Sequence, residues 1–144
     1  MSLSRVPIFL GIAGAVPFVL SILGFVYTQD YPKALSQHAF MIYSLAILCF
    51  LAGTTWGVVL NRPKAERVWP LLVSNGVVLF AVAAMLTANP FWATVLLGLA
   101  YFVFYLYERF VFQHTAPYQT MRRWLTVLVV LLHALFAAAL SLDA

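Results

Sequence analysis

His133 falls near the middle of a long apolar run, where an ionisable side chain is costly and is a candidate for function by default. Two readings are open. A neutral imidazole bonded to another helix would be structural, whereas one that binds a ligand or moves a proton would be functional. Tyr101 lies at similar depth in the preceding run and is one possible partner. The carbonyl of Ala13, which Pro17 deprives of its helical donor, is another. A second polar layer is expected closer to one surface. At about 1.5 Å per helical residue, Asn75 lies about 9 Å into its run, and Thr54 and Thr55 about as far from the end of theirs. Tyr105 belongs slightly lower. These groups either satisfy one another as interhelical hydrogen bonds or line a small polar cavity.

Other chemistry finds little support. None of the four carboxylates is expected inside a span, which argues against a proton- or sodium-coupled transporter of the usual kind. His38, His114 and His133 fall at three different depths, which disfavours bis-histidine haem. There is no His-Glu-x-x-His pattern, no phosphate loop and no nucleophile with a base and orienting acid. The single thiol, Cys49, excludes an internal disulfide framework and a multi-cysteine metal site. The expectation is a protein without cofactor, metal or catalytic activity.

The elements that must position these residues follow from composition. The chain has 144 residues, 65% hydrophobic and only 8% charged. A soluble domain of this size could not hide so much apolar surface, so the lipid bilayer is its solvent. Five runs are long enough to span, at residues 6–27, 38–60, 69–88, 91–107 and 124–142. The first continues too far for a signal peptide and is read as a span kinked at Pro17. Residues 28–37 read as a polar stretch with a turn signal at Asp30-Tyr31-Pro32, and Pro32 starts either a short interfacial helix or an early extension of the second span. Asn89-Pro90 reads as N-cap and first helical residue of a tight hairpin between spans three and four. The fold class is therefore all-α, one five-span membrane domain.

Charge orients the bundle. Threaded through five spans, Arg5, Arg62, Lys64, Arg67, Arg109, Arg122 and Arg123 fall on one side and only Lys33 on the other. The positive-inside rule then predicts a cytoplasmic N-terminus and an external C-terminus in a bacterial inner membrane or related organelle membrane. The net charge of +4 is sparse and adjoins apolar segments. Arg62, Arg67, Arg109, Arg122 and Arg123 are accordingly candidates for contact with anionic lipid, and no nucleic-acid partner is implied. Gly53 and Gly57 form Gly-x-x-x-Gly, extended along one helical face through Cys49 and Ala46. Small residues let another helix approach closely, either inside the bundle or across a homodimer seam.

Three stretches resemble a known family. They are Gly11-Ile12-Ala13-Gly14-Ala15-Val16-Pro17-Phe18, the stretch from Tyr43 ending Phe50-Leu51-Ala52-Gly53-Thr54-Thr55-Trp56-Gly57, and Tyr118-Gln119-Thr120-Met121-Arg122-Arg123-Trp124-Leu125-Thr126. They are similar to a group of small bacterial and mitochondrial membrane proteins classed as a domain of unknown function, which includes animal transmembrane protein sixty-nine. Ala52 and Ser44 stand where that family commonly has glycine, departures that touch packing. The resemblance implies a small helical membrane protein and no reaction. The leading functional expectation is a non-enzymatic accessory or structural protein that self-associates or joins a larger membrane complex. The alternative is a binder or carrier of an amphipathic, lipid-like molecule, using Thr54, Asn75, Tyr101, Tyr105 and His133.

Overall fold

Prolines and short polar breaks cut the apolar chain into six α-helices in the computed structural model, which describes residues 5–144. They are α1 (Val6–Ala13), α2 (Val16–Tyr27), α3 (Asp30–Val59), α4 (Val68–Thr87), α5 (Pro90–Val111) and α6 (Ala116–Asp143), with a 3-10 turn, Lys64–Glu66, leading into α4. No strand occurs among the described residues. Counting α1 with α2, and the 3-10 turn with α4, five stretches are long and apolar enough to cross a membrane. Proline occupies the first turn of α1, α2, α5 and α6, where its missing N–H costs nothing. At the α4–α5 hairpin the expected cap forms: the Asn89 side chain accepts the Trp92 N–H at 3.0 Å.

Helices adjacent in sequence pack side by side, and α6 returns to meet α1 and α2, closing the ring while α3 also touches α5 across it. The core lies where Phe18, Phe40, Leu48, Leu97, Tyr101 and Phe136 meet. Phe40 stacks on Phe136 at 4.1 Å between centroids, and Phe18 meets Phe40 edge-on at 5.1 Å. Each ring pair adds about 0.5–1.5 kcal/mol beyond its buried area.

The ends of the bundle differ in charge. The α3–α4 and α5–α6 connections meet at one end, where the Arg62 guanidinium lies 4.8 Å over the Phe112 ring. At the other, Lys33 pairs with Asp143 and sits 4.9 Å over the Phe25 ring, tying the start of α3 to the end of α6.

The structure decides between alternatives at two places. Of the two readings of the stretch after span one, the early extension of the second span is the one that forms, because α3 begins at Asp30 and runs for 30 residues. Pro32 falls in its first turn, where it is tolerated, and the reversal is confined to Thr28, Gln29 and Asp30, the last with φ of 54°. The second is the small-residue stripe, whose reading as packing inside the bundle is corrected. Ala46, Gly53 and Gly57 face outward, and a Cβ added at either glycine would meet nothing within 4 Å. Close helix approach is permitted at other glycines, among them Gly98, whose added Cβ would stand 3.1 Å from the Cβ of buried His133. Replacing Gly98 with Val should cost about 1–3 kcal/mol through overpacking. Gly57→Val should leave monomer stability within about 0.5 kcal/mol of the parent. Denaturant titration of both variants in detergent checks the contrast.

Candidate functional site

Span one is interrupted where its sequence is richest in glycine and proline. The Ala15 N–H bonds the Ile12 carbonyl at 3.0 Å, one residue short of the α-helical partner Gly11. Pro17 has no N–H to offer Ala13. The Gly14 carbonyl instead accepts the Tyr43 hydroxyl of α3 at 2.7 Å. The expected kink is thus a local interruption at Gly14–Ala15, both still in the right-handed helical region, and the Gly11 carbonyl lacks the donor that a regular helix would bring. Within a bilayer such backbone is stable only when buried in protein or facing a polar cavity.

A cavity of about 480 Å³ opens beside this break. Gly11, Gly14 and Ala15 form one wall, Ile47, Leu51 and Thr54 of α3 a second, and Arg122, Leu125, Thr126 and Val129 of α6 a third, with Tyr101 also lining it. Its walls are mostly apolar. Gly11 stands directly against Leu125, because a Cβ there would come 2.7 Å from that side chain. The break therefore faces the turn of α6 that carries Arg122 and Thr126.

Those two residues belong to a buried polar cluster. Arg122 donates from Nε to Glu108 Oε2 at 3.1 Å and from Nη1 to Thr126 Oγ1 at 2.9 Å, while the Thr126 hydroxyl donates to the Arg122 carbonyl at 2.8 Å. Nη2 lies 3.0 Å from the same carboxylate oxygen but makes no directed hydrogen bond. Arg122 and Glu108 are each only 7% exposed, so the charges are paired in a low dielectric and leave little net field. On the far side of Arg122 a void of about 10 Å³, near the size of one water, is lined by Glu108, His114, Tyr118 and Gln119. His114 lies in the link between α5 and α6. Burial, and behind it the charges of Arg122 and Arg62, lower its pKa from the ordinary 6.5, so it is neutral at neutral pH.

His133 forms a separate node. Its Nδ1 lies 2.8 Å from the Val129 carbonyl and its Nε2 2.6 Å from Ser44 Oγ. A carbonyl can only accept, so Nδ1 carries the proton and a neutral ring accepts the Ser44 hydroxyl at Nε2. Tyr101 donates to the Ser44 carbonyl at 2.5 Å. Ser44 thus serves both partners, and rings of Phe18, Phe40 and Tyr101 enclose the imidazole at 5.0–5.5 Å. Both ring nitrogens are satisfied, and His133 does not line the groove. Neither of its two partners is the Ala13 carbonyl that Pro17 suggested.

The second polar layer does not assemble. Asn75 is exposed on the outer face of α4, and Ser74 beside it is the buried residue. Thr54 lines the groove but donates to its own Leu51 carbonyl at 2.7 Å. Tyr105 is half-buried, with Arg122 5.9 Å from its ring. Of the five candidates, only Thr54 and Tyr101 share the groove. Thr55 is 2% exposed and its hydroxyl has no partner among the described residues. Glu108, expected at the boundary, is buried in the last turns of α5. Arg122, expected among anionic lipids, is turned inward onto it. Arg109 and Arg123 remain exposed, and Arg62 and Arg67 are half-exposed, with Arg67 Nε donating to the Arg62 carbonyl at 2.6 Å. Sequence reasoning missed Ser44, Gly11 and the Glu108–Arg122 pair. The available signals were a serine in place of a family glycine, the Gly11–Gly14–Pro17 spacing, and opposite charges at the ends of consecutive spans.

An all-helical chain with five helices of membrane-spanning length and hydropathy, closed into one ring, defines the class: a helical bundle built for a bilayer. The chain belongs to DUF3429, a protein family of unknown function whose profile matches residues 3–138. No curated protein and no solved structure matches the chain.

Two measurements test these clusters. Arg122→Met should cost about 3–5 kcal/mol by leaving Glu108 buried without its counter-charge, and adding Glu108→Leu should recover most of the loss. For the histidine node, Ser44→Ala and His133→Leu should each cost less in the other's presence, with a coupling of about 0.6–1.7 kcal/mol in a double-mutant cycle.

Proposed function

We propose that this chain is a non-catalytic multi-pass membrane protein that holds one amphipathic, lipid-like molecule in the groove between the broken first span, α3 and α6. The observation that carries the reading is the coincidence of the helix break with the cavity. A free backbone acceptor, a paired arginine and an apolar trough of about 480 Å³ converge on one site. That volume is within the roughly 300–1,000 Å³ of small-molecule sites. Seven basic residues at one end of the bundle support a cytoplasmic setting for that end, in a bacterial inner membrane or a related organelle membrane.

Self-association within a larger membrane assembly is a second reading. It is favoured by the outward-facing Gly53, Gly57 and Asn75, since an amide facing lipid gains from a partner helix. The two readings separate in native mass spectrometry from mild detergent. The first expects a monomer carrying a lipid-sized adduct that is lost in Thr54→Trp, a substitution at an exposed groove position. The second expects a multimer that dissociates in Asn75→Leu. A monomer without adduct that is unaltered by either substitution would remove both.

A further inference from the structure

The polar end of the groove specifies its guest's head group more narrowly than the positive charge at this end of the bundle suggests. Arg5, Arg62, Arg109 and Arg123 do not line the groove, and the one arginine that does, Arg122, is committed to Glu108 and Thr126. No other charged side chain lines it among the described residues. The remaining hydrogen-bonding groups of its lining are neutral. Gly11 supplies an acceptor without its helical donor. Tyr118 supplies a phenol with no hydrogen bond among the described residues, and Tyr101 a phenolic oxygen that has donated once and can still accept.

Bringing a phosphate into this site would set it beside Arg122, the one cation lining the groove among the described residues, whose guanidinium is already bound to Glu108 behind it. Both anions would compete for one guanidinium in a low dielectric, and a desolvated phosphate without its own cation is costly. A hydroxyl or ester carbonyl meets no such conflict, because its hydrogen bonds can be met by neutral groups of the lining without disturbing the ion pair. We infer that the groove takes a single-chain amphipath with an uncharged hydroxyl- or carbonyl-bearing head, such as a fatty alcohol or monoacylglycerol, and discriminates against the corresponding phosphate. This inference rests on the groove being a ligand site, as proposed above.

The test uses the full-length, delipidated protein in a non-ionic detergent, with monoacylglycerol and lysophosphatidic acid of equal chain length as probes, read by native mass spectrometry and thermal shift. The neutral probe should bind at least about tenfold more tightly, a difference of about 1.4 kcal/mol. Glu108→Gln keeps the shape and frees the arginine's charge, so the preference should move toward the phosphate by at least about tenfold. Equal or tighter binding of lysophosphatidic acid by the parent protein would overturn the inference and leave the groove as a lipid site. So would a preference unmoved by Glu108→Gln in a variant that retains the parent's melting temperature. Binding of neither probe would remove the groove reading and the inference with it.

Discussion

Inside hydrocarbon every backbone N–H and C=O must find a partner within the protein or face a polar cavity, and span one is where this chain meets that constraint least simply. Pro17 removes one donor and the turn at Gly14–Ala15 redirects another, so the span cannot be one straight helix. Tyr43 reaches across from α3 to bind the Gly14 carbonyl and fixes where the break sits. Because the break is held against α3 and faces α6, the space beside it is walled on three sides. Gly11 sharpens this geometry, since its missing side chain lets the backbone lie against Leu125. The groove is thus a consequence of how the break is satisfied, not a gap left by loose packing elsewhere.

The remaining polar groups divide into two clusters with opposite character. Around His133 each bond is internal: the imidazole, the Ser44 hydroxyl and carbonyl, and the Tyr101 phenol satisfy one another inside an aromatic cage. This arrangement locks α3, α5 and α6 together and explains why Gly98 must be small. Around Arg122 the pairing is also close, but the cluster borders the groove and includes a guanidinium nitrogen without a directed bond. The charge asymmetry of the chain has two components as a result. Arg109 and Arg123 remain exposed at the basic end, whereas Arg122 is spent on an internal carboxylate.

The helices were readable in the sequence because apolar length and proline placement suffice for them, and the Asn89-Pro90 hairpin formed as its cap chemistry requires. Depth was also readable, since rise per residue places Tyr101 and His133 near one level. Rotation about each helix axis was not. In a chain this apolar, the inward and lipid-facing sides of a helix have nearly the same composition, so periodicity carries little information. Asn75 was consequently read as facing inward and faces out, and the Gly53–Gly57 stripe, open to either side in the sequence, faces out. Ser44 was read as a packing substitution and carries the central hydrogen-bond node. The pairing of Glu108 with Arg122 depended on how far α5 and α6 extend past their apolar runs, which charge patterning alone underestimates.

Photolabelling tests the central claim most directly. A diazirine-bearing monoacylglycerol, incorporated with the protein in a nanodisc and mapped by peptide mass spectrometry, reports where an amphipath resides. Saturable labelling of the groove walls at Gly11–Ala15, Ile47–Thr54 and Arg122–Val129, competed by unlabelled neutral lipid, is the expected result. Labelling spread over outward-facing positions of α4 such as Leu72 and Leu79, without saturation or competition, would contradict it.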